Sequence, residues 1–321
     1  MSKKLLKHIP GVRRARAGLQ NKRIAAALAK VEDSVYWQPN FILGEARGPS
    51  MVSVYDLSHV RYPHFHPPER LRWLEKGLSS TLERVDQVIT VSHFSKAEII
   101  AVYGFPAARI QVVYPGVSDR FRYRYSAHEL AAVRKLYKLP QQYLLSLGTL
   151  EPRKNLKGLL QAYTRLPSSL RQQFPLVLAG GQGWNHAETD DLIARLASKG
   201  ELLKLGYVPQ ALLPQLYQNA SAFAYVSLYE GFGMPVAEAM ASGVPVISSN
   251  CASMPEVVGD YAVLVDPHDI SSITTGLNEL LGSLDTASQR CESACRMSDA
   301  YRWQSAAADL IDIASELQEG A

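Results

Sequence analysis

The sequence has little or none of several features that define large classes of protein. Its 321 residues include only three cysteines, an odd number without metal-finger spacing, which indicates reduced thiols in a cytosol. No apolar run approaches the roughly 18 residues that span a bilayer. Residues 1–30 contain no acidic side chain, and no uninterrupted apolar stretch follows their basic residues as a secretory signal requires. We therefore expect a cytoplasmic protein that contacts a membrane only at its surface.

Positive charge is concentrated at the start of the chain. Residues 1–30 hold nine Lys and Arg side chains, whereas the formal net charge of the whole protein is only +4. The remaining residues therefore carry a net charge of −5. Because a general nucleic-acid binder has basic residues throughout its binding domain, this distribution argues against a nucleic-acid partner.

Apolar runs of strand length alternate with helical patterns along most of the sequence. These runs are Met51–Tyr55, Gln87–Val91, Ile110–Tyr114, Tyr143–Ser146, Pro175–Ala179, Leu202–Leu205, Ala222–Val226, Val244–Ser248 and Ala262–Val265, with a weaker one at Val35–Leu43. Continuous apolar strands between helices are typical of parallel sheets that are covered on both faces. The sequence thus predicts an α/β fold with two doubly wound, Rossmann-like domains, of which the first is shortened.

A polar stretch, Ser118–Ser126, separates the two series of strands. We predict an N-terminal domain over residues 1–120 and a C-terminal domain over residues 127–300. The apolar spacing in the tail predicts a C-terminal helix over residues 301–321, packing back on the first domain. Ligands of such folds bind at the carboxyl ends of the strands, so functional residues are expected there.

Two cations follow one of the predicted strands. The segment Gly148–Asn155 contains a glycine that permits a tight turn, then Arg153 and Lys154, and then Asn155, which is predicted to cap a helix. Cations beside the free N–H groups of a helix start form a good anion site. The alternative is an ordinary solvated Arg–Lys pair.

A second segment with two glycines follows the strand Ala222–Val226. It runs Glu230-Gly231-Phe232-Gly233-Met234-Pro235-Val236-Ala237-Glu238, and its glycines let the backbone approach a ligand closely. Pro235 suits the start of a helix, which predicts Glu238 in the first turn. Glu230 and Glu238 are hydrogen-bond acceptors on either side of a turn that suits a phosphate, a pattern that fits a sugar and a ribose joined by pyrophosphate. Alternatively, Glu238 in the first turn merely interacts favourably with the helix dipole.

These segments resemble the Glu-x7-Glu element and the cationic turn of the retaining glycosyltransferases of family 4, which have the GT-B fold. Further matching segments are Val91–Lys96, Tyr114–Val117, Ala179–Gly181, Gly206–Pro209, Ala241–Val246, Pro255–Val257 and Asp260–Pro267. The first half, especially Asp56-Leu57-Ser58 and Arg61-Tyr62-Pro63, resembles bacterial mannosyl- and rhamnosyltransferases of O-antigen or exopolysaccharide assembly. The usual N-terminal strand and Gly-rich loop of the family have no counterpart in the sequence, so we expect the N-terminal, acceptor-side domain to be incomplete.

The resemblance implies a role for each of these residues. The implied sites are the donor diphosphate at Arg153, Lys154 and Gly148, the donor sugar at Glu230, Phe232, Gly233 and Met234, the ribose at Glu238, and the base at Tyr207 and Val208. The donor is a nucleotide diphosphate sugar. The sequence contains no Asp-x-Asp, which agrees with a transferase that needs no metal and no other cofactor.

One position departs from the family pattern on the acceptor side. The family commonly has a histidine near the sugar where this sequence has Tyr55, and tyrosine carries no positive charge near neutral pH. We therefore assign Asp56 and His59, together with Glu230, as candidate catalytic residues, the first two positioning sugar and acceptor. A zinc site at His59, His64 and His66 is a weaker alternative, and Cys291 and Cys295 are predicted to be a reduced, partly buried pair.

The sequence thus indicates a retaining glycosyltransferase that moves a hexose, by resemblance mannose from GDP-mannose, to a growing and lipid-linked glycan of lipopolysaccharide or exopolysaccharide. One alternative is a catalytically impaired GT-B protein that binds nucleotide sugar or a partner as a scaffold. A sugar-nucleotide epimerase is disfavoured, because it needs further acidic residues in the first domain. The basic residues 1–30 suit either an anionic membrane surface, with the protein peripheral on the inner face of the plasma membrane, or an ordinary helix of the first domain.

Overall fold

Ten strands form two parallel sheets in the computed structural model, which describes residues 34–45, 48–149, 151–181, 187–284 and 298–320. The first sheet has the order β1-β2-β3-β4 and the second the order β10-β9-β8-β5-β6-β7. The strands are β1 (Tyr36–Gln38), β2 (Ser50–Ser53), β3 (Gln87–Thr90), β4 (Ile110–Val112), β5 (Leu144–Leu147), β6 (Leu176–Ala179), β7 (Leu202–Gly206), β8 (Ala222–Tyr225), β9 (Val246–Ser249) and β10 (Ala262–Val265). All paired strands are parallel, which confirms the predicted fold class.

Helices connect these strands and cover the sheets. In the described part of the chain they are α1 (Ser58–Arg61), α2 (Pro68–Arg84), α3 (His93–Tyr103), α4 (Ala127–Tyr137), α5 (Leu156–Thr164), α6 (Ser168–Gln173), α7 (Ala187–Ser198), α8 (Leu213–Asn219), α9 (Met234–Ala241), α10 (Met254–Val258), α11 (Ile270–Gly282) and α12 (Trp303–Glu319). Short 3-10 helices lie at Pro63–Phe65, Ala107–Arg109, Asp119–Phe121, Pro152–Lys154, Gln210–Leu212, Gly259–Tyr261 and Ser298–Ala300.

The second sheet is buried on both faces. On β5, Leu144 packs in one apolar cluster and Leu145 in another, because successive side chains of a strand point to opposite sides of the sheet. This explains why the strands of this sheet read as continuous apolar runs rather than as alternating patterns. The first sheet has an analogous core, in which Leu74 and Leu78 of α2 pack against Val52 and Val88 with the four-residue spacing of one helix face.

The chain returns to the first sheet at its C-terminal helix. Leu310 and Ile313 of α12 pack with Met51, Ile89 and Val113 in one cluster. The backbone at Gly116 packs closely against the start of this helix, because a Cβ added to Gly116 would lie 2.4 Å from the backbone nitrogen of Trp303. The first sheet is therefore covered by a helix that begins about 190 positions after the last of its own strands.

One predicted strand is shorter in the structure, and other predicted features lie outside the described residues. Of the weak run Val35–Leu43 only Tyr36–Gln38 is a strand, while Phe41 and Leu43 are buried in the following loop. The basic segment 1–30, Cys291 and Cys295 lie outside the described residues. The predicted domain boundaries remain predictions. Among the described residues, no helix has both the length and the apolar character needed to cross a bilayer.

Candidate active site

The strand order of the second sheet defines a crevice between two turns. From β5 the chain adds β6 and β7 on one side and then β8, β9 and β10 on the other. Because β5 and β8 are parallel neighbours, the turns that follow them lie side by side at the carboxyl edge, where ligands of such folds bind. The turn after β5 carries Arg153 and Lys154, and the turn after β8 carries Glu230.

These three side chains form one ionic cluster. Glu230 Oε2 lies 2.7 Å from Arg153 Nη1, and Glu230 Oε1 lies 2.6 Å from Lys154 Nζ. A second carboxylate, Glu151, lies 2.7 Å from Arg153 Nη2. The four side chains are at most 18% exposed, so solvent screens their attraction weakly. The two cations and two carboxylates together carry no net formal charge. The sequence did not identify Glu151 as a member of the site, because nothing in its own position indicates that it pairs with Arg153.

Backbone contacts hold the two turns together. The 3-10 helix Pro152–Lys154 points both cations toward the turn after β8. The Arg153 carbonyl accepts a hydrogen bond from the backbone N–H of Leu228 at 2.9 Å, and Arg153 Nη1 donates to the Tyr229 carbonyl at 2.7 Å. Because these bonds fix the backbone on both sides, the cluster is preorganised rather than assembled from mobile surface side chains.

The side chain of Asn155 does not cap the helix that follows it. Its backbone is left-handed, with φ of 55°, and its side chain accepts no hydrogen bond from the start of α5. Instead, Asn155 Nδ2 donates to the Pro267 carbonyl at 2.7 Å. The predicted N-cap position of Asn155 is therefore confirmed, but its side chain makes no capping hydrogen bond, because the preceding 3-10 turn directs the amide toward a neighbouring loop.

The cluster keeps Glu230 ionised despite its burial. Burial alone would raise the pKa of Glu230, but Lys154 and Arg153 outweigh it and lower this pKa to about 2. For Lys154, burial would lower the pKa, yet the nearby Tyr225 and Glu230 hold it above its usual value. All three groups are thus charged across the neutral pH range.

A buried tyrosine belongs to the same cluster and was not identified from the sequence. The hydroxyl of Tyr225 accepts a hydrogen bond from Lys154 Nζ at 2.5 Å and donates one to Glu230 Oε1 at 2.9 Å. Burial, followed by the nearby carboxylate, raises the pKa of Tyr225 to about 12, so the phenol stays protonated. Its place as the last residue of β8, at the carboxyl edge, is the signal that could have revealed it.

A small cavity of about 30 Å³ lies beside the cluster, at the ends of β5, β6 and β8. Gly148, Lys154 and Tyr225 contribute to its lining. A Cβ added to Gly148 would lie 3.9 Å from Lys154 Cγ, an ordinary van der Waals contact. Gly148 therefore borders Lys154, and its role at a diphosphate stays a prediction.

Glu238 lies in the same domain but in a different environment. It is the fifth residue of α9, which begins at Met234 after the left-handed Gly233, so the prediction that Glu238 lies in the first turn is wrong. Its Oε2 accepts a hydrogen bond from the Tyr217 hydroxyl at 3.1 Å. Burial raises the pKa of Glu238 to about 7, against the opposing effect of that hydrogen bond.

This raised pKa predicts a pH-dependent stability. An acid that is easier to protonate when folded contributes stability that is fully present below its ordinary pKa of 4.5 and is lost as the pH rises through about 7. In Glu238→Gln the buried group is neutral at every pH. We therefore expect the melting temperature of this variant to exceed that of the wild type near pH 8 by a few degrees and to match it near pH 5. Equal differences at both pH values would contradict the assignment.

The other residues predicted to hold the donor sugar, Phe232, Gly233 and Met234, offer a ligand mainly their backbone atoms. Phe232 is buried, with its ring 5.1 Å from that of Tyr301, so only its main chain is available to a ligand. Gly233 has φ of 99°, and a Cβ there would lie 2.2 Å from Met254 Cε, which favours glycine. Met234 begins α9. The role of all three in holding a sugar stays a prediction.

The predicted base contact consists of one exposed and one buried residue. Tyr207 follows β7 and is 75% exposed, whereas Val208 is buried in the core of the domain. An exposed ring at the carboxyl edge has a free face on which a base can stack. The structure thus leaves Tyr207 available for this role, while the Val208 side chain serves packing.

The first domain reaches the cluster through Tyr55 and Asp56. A Cβ added to Gly231 would lie 2.0 Å from the Tyr55 carbonyl and 3.0 Å from Asp56 Cβ. Asp56 thus lies next to the turn that carries Glu230, and its Oδ1 accepts from the Ser58 N–H at 2.8 Å. This placement brings the predicted Asp56 and Glu230 together across the two domains.

His59 is not at the surface of the cleft. It is 3% exposed, its Nε2 lies 3.4 Å from the Tyr103 hydroxyl, and burial lowers its pKa to about 4. His59 is therefore neutral near pH 7, and its position suits packing behind Asp56 more than contact with a ligand. Its catalytic assignment stays a prediction.

Another histidine of the same loop lies nearer to the cations. The Nε2 atom of His66 is 3.1 Å from Ser58 Oγ, and burial followed by repulsion from Arg70 lowers the pKa of His66, with smaller effects from Arg153 and Glu151. Within the described ranges, no group of three or more His, Cys, Asp or Glu side chains could hold a metal ion. This gives no support to the alternative of a zinc site at His59, His64 and His66.

A second contact between the domains involves Glu256. Its carboxylate accepts hydrogen bonds from the backbone N–H groups of His93 and Phe94, at 2.8 and 3.0 Å, and from the Tyr114 hydroxyl at 2.8 Å. His93 and Phe94 are the first two residues of α3, whose free N–H groups attract a carboxylate. Ser92 Oγ adds a bond to the Gly231 carbonyl at 2.6 Å, so α3 is fastened to the turn that carries Glu230.

Comparison with known families matches nearly the whole chain. The family described as "Glycosyl transferases group 1" matches residues 132–296, and the one described as "Glycosyltransferase Family 4" matches residues 7–121. The O-antigen chain mannosyltransferase B of Escherichia coli is 41% identical over 263 residues, which cover 82% of this chain and 69% of that protein.

Solved structures share the fold at low sequence identity. WaaG, a glycosyltransferase involved in lipopolysaccharide biosynthesis, superposes with a TM-score of 0.76 at 19% identity, covering 95% of this chain and 84% of that one. Anabaena HepE in complex with UDP and glucose has a TM-score of 0.68 at 21% identity, with 84% and 71% covered. These likenesses agree with the two parallel sheets described above.

Proposed function

Because this chain is a glycosyltransferase of group 1 and family 4, we propose that it moves mannose from GDP-mannose to a growing, lipid-linked O-antigen-type glycan, with retention of the anomeric configuration. The observation that carries the proposal is the buried cluster of Arg153, Lys154 and Glu230 at the switch point of the second sheet. The 41% identical relative is named an O-antigen chain mannosyltransferase, which supports mannose and this class of acceptor.

In the proposed reaction, the bond between the anomeric carbon and the diphosphate oxygen breaks as a bond to the acceptor oxygen forms. The acceptor hydroxyl gives its proton to the departing diphosphate oxygen. Negative charge develops on that oxygen as its bond to the anomeric carbon breaks and before the proton arrives, and this charge is the main quantity to stabilise. Arg153 and Lys154 supply that stabilisation. Two fixed cations and the N–H groups of the turn can do so without a metal ion, and Glu230 holds hydroxyls of the sugar.

The donor has to compete for these cations. In the structure Glu230 and Glu151 already neutralise Arg153 and Lys154. A diphosphate brings at least two negative charges of its own and several oxygens that accept hydrogen bonds from both cations, so it competes with the two carboxylates. Donor binding therefore exchanges carboxylate contacts for phosphate contacts and frees Glu230 to accept from the sugar.

The proposal predicts that nucleotide diphosphates stabilise the protein. At about a hundred times the dissociation constant, a ligand stabilises the native state by about 2.7 kcal/mol, a rise of several degrees in melting temperature. We expect GDP to give a larger rise than UDP or ADP at equal concentration, and Arg153→Ala to lose most of it. No rise with any of the three would contradict the donor site.

Turnover separates an enzyme with this specificity from a nucleotide-sugar-binding scaffold. Incubation with GDP-mannose and a lipid-linked acceptor should release GDP and extend the glycan in the wild type. Binding of GDP-mannose without any release of GDP would instead favour the scaffold.

The proposal also includes a peripheral location on the inner face of the plasma membrane. Its support is the nine basic residues within residues 1–30, each of which contributes about 1 kcal/mol near an anionic surface. Co-sedimentation with phosphatidylserine vesicles, lost when the salt concentration is raised, is the expected result. Equal binding to neutral vesicles would contradict it.

A further inference from the structure

Tyr225 has a position in the donor site that the proposed mechanism does not use. Its side chain is 3% exposed, and its hydroxyl contacts both Lys154 and Glu230. The ring stacks on that of Phe223 with centroids 6.0 Å apart, and its carbonyl accepts from Ser248 Oγ at 3.2 Å. A ring held this firmly on a central strand places its hydroxyl at one fixed point.

The three polar groups form a closed triangle. Lys154 Nζ is 2.5 Å from the Tyr225 oxygen and 2.6 Å from Glu230 Oε1, and the third side measures 2.9 Å. A phenol has one proton to donate and lone pairs to accept with. Lys154 donates into a lone pair, so the phenolic proton is directed at the carboxylate.

Arrival of a diphosphate changes this balance. A bound diphosphate shares the charge of Lys154 and Arg153 with Glu230, which stays buried and then has less positive charge to itself. Burial then favours the neutral, protonated form of Glu230. The Tyr225 hydroxyl is a neutral hydrogen-bond donor on a rigid strand, so the charge of the ligand does not change its bond to Glu230.

On this geometry, and resting on the donor site proposed above, we propose that Tyr225 is a positioning residue for sugar transfer. It keeps the Glu230 carboxylate oriented, and supplied with a hydrogen bond, once Lys154 and Arg153 share their charge with the diphosphate. The phenol does not touch the reacting atoms; it acts through Glu230.

The groups that set the ionisation of Glu230 come from several elements. Around it lie Arg153 and Lys154 from the turn after β5, Tyr225 from β8, and, through Arg153, Glu151, Asp56 and His66. Of these, Tyr225 is the uncharged group that donates directly to the carboxylate. Its removal should therefore shift the protonation of Glu230 without changing the net charge of the site.

The test is Tyr225→Phe, which keeps the ring and removes only the hydroxyl. The matched control is Tyr143→Phe, which removes an equally buried hydroxyl that donates to the Leu216 carbonyl at 2.6 Å. For both variants and the wild type, the kcat for release of GDP from GDP-mannose, with a lipid-linked acceptor, is measured from about pH 5 to about pH 8. GDP affinity is measured in parallel by calorimetry.

In Tyr225→Phe we expect the acid limb of the kcat profile to move to higher pH by about one unit, because the ionised form of Glu230 has lost a donor. At pH values below the acid limb the kcat should fall about tenfold, while the Kd of GDP changes less than about threefold, since the cations remain. Tyr143→Phe should leave the acid limb in place.

An acid limb that coincides in the two variants would overturn the role of Tyr225, because a merely structural hydroxyl moves no pH profile. Absence of turnover by the wild type at every pH would instead overturn the proposed function, and this inference with it. The two failures are therefore distinguishable by the wild-type profile alone.

Discussion

In Glu230→Gln, sugar transfer from GDP-mannose should fall by at least about a hundredfold, while the affinity for free GDP rises about tenfold. The two effects have opposite signs because Glu230 both serves the reaction and competes with the diphosphate. Its carboxylate lies 2.7 Å from Arg153 and 2.6 Å from Lys154. The amide removes the competing charge but keeps the size of the side chain, so GDP meets two cations and one remaining carboxylate, Glu151. Calorimetric titration with GDP and a transfer assay measure the two changes.

The control for this variant is Glu201→Gln. Glu201 is also buried and lies 3.2 Å from Arg171, away from the switch point of the sheet. Removing a charge from a buried pair destabilises a protein by a few kcal/mol, so both variants should melt earlier than the wild type. In contrast to Glu230→Gln, the affinity of Glu201→Gln for GDP should be unchanged. Unchanged or weaker GDP binding in Glu230→Gln would contradict the exchange of carboxylate for phosphate.

Gly231→Ala should reduce sugar transfer by about a hundredfold with little change in GDP affinity. The added methyl group would lie 2.0 Å from the Tyr55 carbonyl and 3.0 Å from Asp56 Cβ, both fixed to the first domain. The two domains must then separate at this point, which also weakens the bonds from Ser92 and Ser95 to the Gly231 carbonyl. The cations and Glu230 all belong to the second domain and stay together. Transfer assays and GDP titration distinguish the two effects.

Gly282→Ala serves as the matched control, because a Cβ at that glycine meets nothing within 4 Å. It should transfer sugar as fast as the wild type, and small-angle scattering should show an unchanged shape. Wild-type transfer by Gly231→Ala would mean that the contact between Gly231 and Tyr55 is not required for the reaction. Loss of GDP binding in that variant would mean that the donor site depends on the first domain.

Much of the fold and part of the site could be predicted from local sequence. Continuous apolar runs predicted the parallel strands, because a sheet covered on both faces needs apolar residues at every position. Arg153, Lys154 and Glu230 were found because each directly follows such a strand. The rule that the carboxyl ends of parallel strands meet at one edge of a sheet predicts that all three lie at that edge.

What the sequence could not predict depends on partners distant in the chain. The pairing of Lys154 with Glu230 joins residues 76 positions apart and follows from β5 and β8 being neighbours, which no local pattern records. The bonds of Glu256 to His93 and Phe94 span more than 160 positions and link two domains. Tyr225 resembles any other strand residue until its hydroxyl is placed between two charges.

Errors at helix starts have a simpler origin. Asn155 stands at the expected helix boundary, but its left-handed backbone turns the side chain away from the helix. The helix α9 begins one residue before Pro235, and such a shift is enough to move Glu238 out of the first turn. The 3-10 turn before Asn155 and the left-handed Gly233 before α9 set the actual starts. Such turns depend on the loop that they contact.

The cover that α12 provides to the first sheet has a consequence for biosynthesis. Met51, Ile89 and Val113 are made early, whereas Leu310 and Ile313, which pack with them, leave the ribosome only after the whole second domain. During this interval the nascent chain exposes an apolar sheet face to solvent, and such surfaces bind chaperones or aggregate. The first domain thus becomes a finished folding unit only after the second has been synthesised.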